Sequence, residues 1–192
     1  MRVLKYSRLF AVRGAKVTIL GEGQQPAPDI EVQAGQQLFF AEVKKFRLAP
    51  GATHVNPRSK IVGAVKGKMK QLPAGQINFV AIDSFDPNIE FDVLDGGLSH
   101  QPIHGAFEAL ETACTKEPAV YGRLSGVIFA ANTSGGVVSG SGLLYEAAWI
   151  PHYVWLNPAA TRPVPHGLAA WVVGALPNGV ALAPGQASEE LP

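Results

Sequence analysis

The stretch Pro28-Asp29-Ile30-Glu31-Val32-Gln33-Ala34-Gly35-Gln36-Gln37-Leu38-Phe39-Phe40-Ala41-Glu42-Val43-Lys44 decides how this chain folds. Ile30 to Ala34 reads as one strand, Gly35-Gln36 as a tight turn, and Gln37 to Lys44 as the return strand. Side chains alternate faces along a strand. Glu42 and Lys44 therefore share one face, and Phe39, Ala41 and Val43 share the other. The hairpin can set Asp29, at the near end of its first strand, beside Glu42 at the far end of the second. Two carboxylates and one ammonium then converge. That set suits a hard divalent cation, which takes oxygen ligands, and it suits charge stabilisation on a phosphodiester.

Working outward, Lys16 to Leu20 reads as a strand before the hairpin, and Arg2 to Val12 as a short helix before that. Gly21 to Pro28 and Leu48 to Pro57 are loops by their Gly and Pro content. Arg58 to Leu72 carries Ile61, Val65, Met69 and Leu72 at helical spacing, and Pro73-Ala74-Gly75 stops it. Gln76 to Asp83 and Ser125 to Ala131 are strands whose unbroken apolar runs predict burial on both faces. Ser84 to Gln101 reads as an acidic loop and Pro102 to Cys114 as a helix. Asn132 to Ser141 reads as a Gly/Ser turn region, and Tyr153 to Leu156 as a last strand. Pro and Gly dominate from Pro158 onward. One domain over residues 1–173 is expected, with 174–192 a loose tail. The order, three strands in a meander and then helix-strand-helix-strand, is a mixed α/β layout.

The 192 residues suffice for one domain with a sizeable core, and 47% hydrophobic against 16% charged residues is a globular profile. The net charge of +1 names no partner. Its distribution says more. Lys44, Lys45, Arg47, Arg58, Lys60, Lys66, Lys68 and Lys70 lie between Ala41 and Leu72 with Glu42 as the one acid there, and acids alone populate the stretch to Ala113. A basic surface beside the hairpin follows, with a solvated helix face as the plain alternative. The single cysteine, Cys114, excludes an intrachain disulfide and reads as structural. There is no continuous apolar leader segment and no run long enough for a bilayer span, so a cytoplasmic location is the default expectation.

Pro28-Asp29 followed by Glu42-Val43-Lys44, with the strand "KVTIL" before and the helix "SKIVGAVKGKMKQL" and strand "INFVAID" after, resembles the PD-(D/E)xK nuclease superfamily. The resemblance runs from about Lys16 to Asp83 and is to small bacterial members of that superfamily. It implies a restriction-endonuclease-like α/β fold, a mixed sheet flanked by helices. It implies an endonuclease that hydrolyses phosphodiester bonds with Mg2+ or Mn2+. Asp29 and Glu42 would be the metal ligands, and Lys44 would orient or activate the attacking water. Lys68 and Gln71 lie where related cores place further polar residues on the following helix. From the basic surface itself, Arg58, Lys60, Lys66, Lys68 and Lys70 would contact the phosphates of nucleic acid, DNA first; no membrane partner is expected, and a homodimer is allowed. Many members carry a further acid on the helix before the first strand, whereas residues 1–21 hold no Asp or Glu. Either the chain continues upstream, or its site uses fewer ligands, or it is inactive. Glu31 is a weaker substitute. The rival is the same fold kept as a catalytically incomplete module that binds nucleic acid or a protein. A third reading is another α/β fold with a decorative hairpin.

Other constellations are weaker. His100 and His104 have zinc-pair spacing, but Pro102 between them starts the helix and spoils the geometry. "NTSGGVVSGSG" (Asn132 to Gly142) lacks the Lys-Ser/Thr of a phosphate loop and reads as a hairpin turn or bulge. Trp149, Trp155 and Trp171 could stack bases, but their apolar surroundings favour packing.

Overall fold

The hairpin forms in the register that its alternation predicts. The computed structural model describes residues 2–21, 27–45, 57–83, 101–130, 133–138, 144–149 and 152–182. The chain runs through α1 (Arg2–Val12), β1 (Lys16–Ile19), β2 (Ile30–Ala34), β3 (Gln37–Lys45), α2 (Pro57–Lys66), β4 (Ile77–Asp83), α3 (Gln101–Lys116) and α4 (Pro118–Tyr121). It continues through β5 (Gly126–Ala130), β6 (Thr133–Val138), β7 (Leu144–Trp149), β8 (His152–Leu156), α5 (His166–Ala175) and β9 (Gly179–Leu182). Gly35, with φ 58°, supplies the left-handed residue that the β2–β3 turn needs.

Seven strands form one mixed sheet in the order β1-β2-β3-β4-β5-β8-β9. The β1–β2–β3 meander is antiparallel, β3, β4 and β5 are parallel, β8 returns antiparallel to β5, and β9 runs parallel to β8. This is the expected α/β architecture, a mixed sheet flanked by helices. Every residue of β4 and β5 is buried, as unbroken apolar runs in a parallel centre require.

Each face of the sheet has its own core. On one, Ile61, Val65, Met69, Leu72, Leu110 and Cys114 from the α2 and α3 layer cover Val80, Ile82, Val127, Phe129 and Trp155. On the other, Tyr6 and Phe10 of α1 and Leu168 and Val172 of α5 cover Phe39, Ala41, Phe79, Ala81, Ile128 and Val154. Trp155 stacks on Phe107 at 6.1 Å, and Trp171 stacks on Phe10 at 5.9 Å. Both indoles are core material, not base-stacking platforms; the Trp149 side chain lies outside the described residues.

Polar side chains fasten both ends of β4. At its start, Asn78 Nδ2 donates to the carbonyls of Pro73 and Arg123, both at 2.8 Å, and the Asn78 N–H donates to Ser125 Oγ at 3.0 Å. At its end, the buried Asp83 carboxylate meets Arg2 at 3.3 Å and Lys5 at 3.5 Å, which fastens α1 to the sheet.

Three expectations need correction. The helix expected over Arg58 to Leu72 ends at Lys66, turns through Gly67 and Lys68, and resumes as a 3-10 turn over Met69–Gln71. Gly67 is the weak point, since glycine costs about 1 kcal/mol in a helix interior. The turn region expected over Asn132 to Ser141 instead contributes β6, paired to β7 in a separate two-stranded ribbon. A ribbon held by backbone pairing tolerates the glycines that misled the reading. The loose tail expected from residue 174 holds the end of α5 and all of β9 before residue 183. Pro165 precedes α5 and Asn178, at φ 49°, turns the chain into β9, so the Pro and Gly residues punctuate elements there and do not abolish them. The expected acidic loop and the last ten residues lie outside the described residues.

Gly126 sits where β5 crosses the core. A Cβ there would lie 2.7 Å from the Trp155 carbonyl oxygen and 2.8 Å from the Phe79 ring. Gly126→Ala is expected to destabilise the fold by about 1–3 kcal/mol, read as a lowered urea midpoint at unchanged m-value.

Candidate active site

Ile30 pairs with Ala41 across β2 and β3, so the residue before β2, Asp29, comes opposite Glu42. Asp29 is fixed through its backbone and its side chain. Its carbonyl accepts from the Leu20 N–H at 2.9 Å, and its Oδ2 accepts from the Val43 N–H at 2.7 Å. The preceding Pro28 is buried and sets the entry into the strand. Asp29 is thus held beside Glu42 by the first ladder rungs of the hairpin.

Glu42 is 1% exposed, on the face of β3 that meets the α2 layer. Lys68 donates from Nζ to its Oε1. Its Oε2 is buried and meets no hydrogen-bond partner among the described residues. Burial is the main force that pushes the Glu42 carboxyl above its ordinary value of 4.5. The Lys68 contact opposes that rise. The Asp29 charge adds to it, as does the hydrogen bond that a protonated Glu42 can give Asp29. A buried carboxylate with an idle oxygen and a second carboxylate alongside is a site short of positive charge.

Lys44 stands apart. It follows Glu42 by two on the same strand face but is exposed, and it forms no ion pair among the described residues. The cation in contact with Glu42 comes from Lys68, just beyond the break in α2. Of the other residues read as nucleic-acid contacts, Lys60 and Lys70 are exposed. Lys66 is engaged with Glu117 at 2.9 Å. Gln71 is half-buried, and its Oε1 accepts no hydrogen bond among the described residues. The Arg58 side chain lies outside the described residues. The structure therefore brings together Asp29, Glu42 and Lys68, and leaves Lys44 two residues away at the surface.

The donor set suits a divalent cation of the Mg2+ type, which takes one or two carboxylates and keeps several waters. Among the described residues no three His, Cys, Asp or Glu side chains gather as a metal cluster, so those residues offer a cation two carboxylates. Glu31 is half-buried and pairs across the ladder with Phe40. Cys114 is buried, and burial with the nearby Glu111 pushes its thiol up to about 12, which removes it as a nucleophile. His100 lies outside the described residues. Among those described, no helix is long and apolar enough to cross a membrane.

No family model matches the chain, and no curated protein matches it. Among solved structures it is similar to that of Pyrococcus furiosus SfsA in complex with Ca2+, at 14% identity and a TM-score of 0.31. The likeness covers 77% of this chain, which spans 59% of the length of that one. So loose an overlap says nothing of the site.

Sequence reasoning missed the pairing of Lys68 with Glu42. Its signal was spacing, since Lys68 follows the buried Ile61 by seven residues and the buried Val65 by three, which turns it toward the sheet. It also missed Asp83 as a buried anchor; its position directly after the apolar run Phe79 to Ile82 was the available sign.

The raised carboxyl of Glu42 has a defined pH signature. A group whose value is raised on folding favours the fold below its unfolded value, and that contribution is lost as pH climbs through the folded value. Glu42→Gln, which cannot ionise, should match the wild type near pH 4. It should gain relative stability as pH rises from 4.5 through the raised value of Glu42. Urea unfolding of both proteins at pH 4 and pH 8 measures the difference; a relative loss for Glu42→Gln at pH 8 would contradict the assignment.

Proposed function

We propose that the chain is a PD-(D/E)xK-type nuclease that hydrolyses phosphodiester bonds in nucleic acid with Mg2+ or Mn2+. The observation that carries this reading is the pairing of Asp29 with Glu42 across the hairpin, one oxygen of the buried Glu42 meeting no partner among the described residues. The order α1-β1-β2-β3-α2-β4 and the parallel junction of β3 and β4 supply the frame that the sequence resemblance implies.

Each residue then has a part. Asp29, oriented by the Val43 N–H, and Glu42, whose Oε2 meets no partner among the described residues, would hold the cation. When bound, the cation would acidify a water and offset charge on the phosphodiester. Lys44, exposed two residues beyond Glu42, would place its ammonium against a phosphate approaching from solvent and stabilise charge that develops there. Lys60 and Lys70 would add phosphate contacts that position the strand without reading its sequence.

A second reading has its own support. Lys44 forms no ion pair with either carboxylate among the described residues. That fits a nuclease fold retained as a binding module.

Plasmid cleavage in Mg2+ or Mn2+ separates the two. On the nuclease reading the wild type nicks or cuts the plasmid, and Asp29→Ala and Glu42→Ala lower the rate on the order of 10²-fold or more. Lys44→Ala lowers the rate while leaving cation affinity unchanged. A wild type that binds DNA, more weakly as salt rises, but leaves it intact favours the module.

A further inference from the structure

We propose that the Lys68 ammonium is a built-in counter-ion for the Asp29–Glu42 pair, and that a divalent cation binds by displacing it. This rests on reading those two carboxylates as a metal pair.

Three observations lead here. First, Lys68 Nζ sits on Glu42 Oε1, and that carboxylate is 2% exposed in its side chain. The ammonium therefore occupies one of the oxygens through which a cation would bind. Second, the charges do not allow both guests at close range. Asp29 and Glu42 together carry two negative charges, and Lys68 supplies one positive charge. A divalent ion in contact with both carboxylates satisfies them fully and would repel an ammonium a few ångströms away. Third, Lys68 is placed to leave. It belongs to neither α2 nor the 3-10 turn that follows, and it keeps a side chain 19% exposed beside solvent. Its flexible four-carbon stem can swing out of the site with no change of backbone. Lys68 follows the buried Ile61 by seven residues and the buried Val65 by three, so it leaves the α2 layer on the side that faces the sheet, away from the exposed Lys66 and Lys70.

The exchange explains how a carboxylate pair survives burial before metal arrives. Lys68 offsets enough charge to keep the hairpin end folded, and the metal takes over that duty. It also makes cation binding weaker than the two carboxylates alone would give, because the ion pair must be broken first.

Isothermal titration of the full chain with MnCl2 tests this without any cleavage assay. Lys68→Met should bind Mn2+ at least about tenfold tighter than the wild type, a gain of roughly 1.4 kcal/mol. Its thermal midpoint should lie below that of the wild type without metal, and should rise further on adding Mn2+. Lys68→Gln, which keeps a polar group facing Glu42, guards against misfolding of the methionine variant and should shift in the same direction. Glu42→Gln should lose binding in either background. A residue that merely supports the fold would weaken Mn2+ binding when removed, so equal or weaker binding by both Lys68 variants overturns the exchange. In that case binding by the wild type that Glu42→Gln abolishes still upholds the carboxylate pair as a metal site. Absence of Mn2+ binding in the wild type and every variant overturns the metal reading and the exchange together.

Discussion

One constraint organises the site: a glutamate placed on the buried face of a central strand. Position 42 follows Phe39 and Ala41 into the sheet, and its neighbour across the ladder on β4 is Val80. Taking a carboxylate out of water is costly unless charge or hydrogen bonds replace the solvent. The fold answers with Lys68 on one oxygen, and the other meets no hydrogen-bond partner among the described residues. Asp29, brought alongside by the hairpin register, makes the shortage of positive charge worse. Such a site is electrostatically unfinished, and a divalent cation is the simplest group that would finish it.

The rest of the molecule keeps that end of the hairpin in place. β3 is clamped between β2 and β4, and β4 is secured by the Asn78 and Ser125 hydrogen bonds at its start and by Asp83 with Arg2 and Lys5 at its end. The two apolar cores then fix the sheet from both faces. Among the described residues, positive φ falls at Gly14, Gly35, Gly75 and Asn178, and at neither carboxylate.

Much of this was legible in the sequence. Alternation in Ile30–Ala34 and Gln37–Lys45 fixed which side chains share a face, and the register followed from the two-residue turn. The apolar runs of β4 and β5 announced a buried parallel centre. What escaped had physical causes. β9 and the end of α5 hid among Pro and Gly residues that cap and turn these elements. Lys68 read as one more lysine on a basic face, although its spacing of seven from Ile61 and three from Val65 already turned it toward the sheet. Lys44, by contrast, shares the face of Glu42 as alternation requires, but near the end of β3 that face has already reached solvent.

The most direct test of the central claim is a crystal soaked in Mn2+ and measured for anomalous scattering. The account predicts a peak between the Asp29 and Glu42 carboxylates, each oxygen at about 2.0–2.3 Å, with the Lys68 ammonium moved off Glu42. No peak there, with Lys68 still seated on Glu42 at saturating Mn2+, would contradict it.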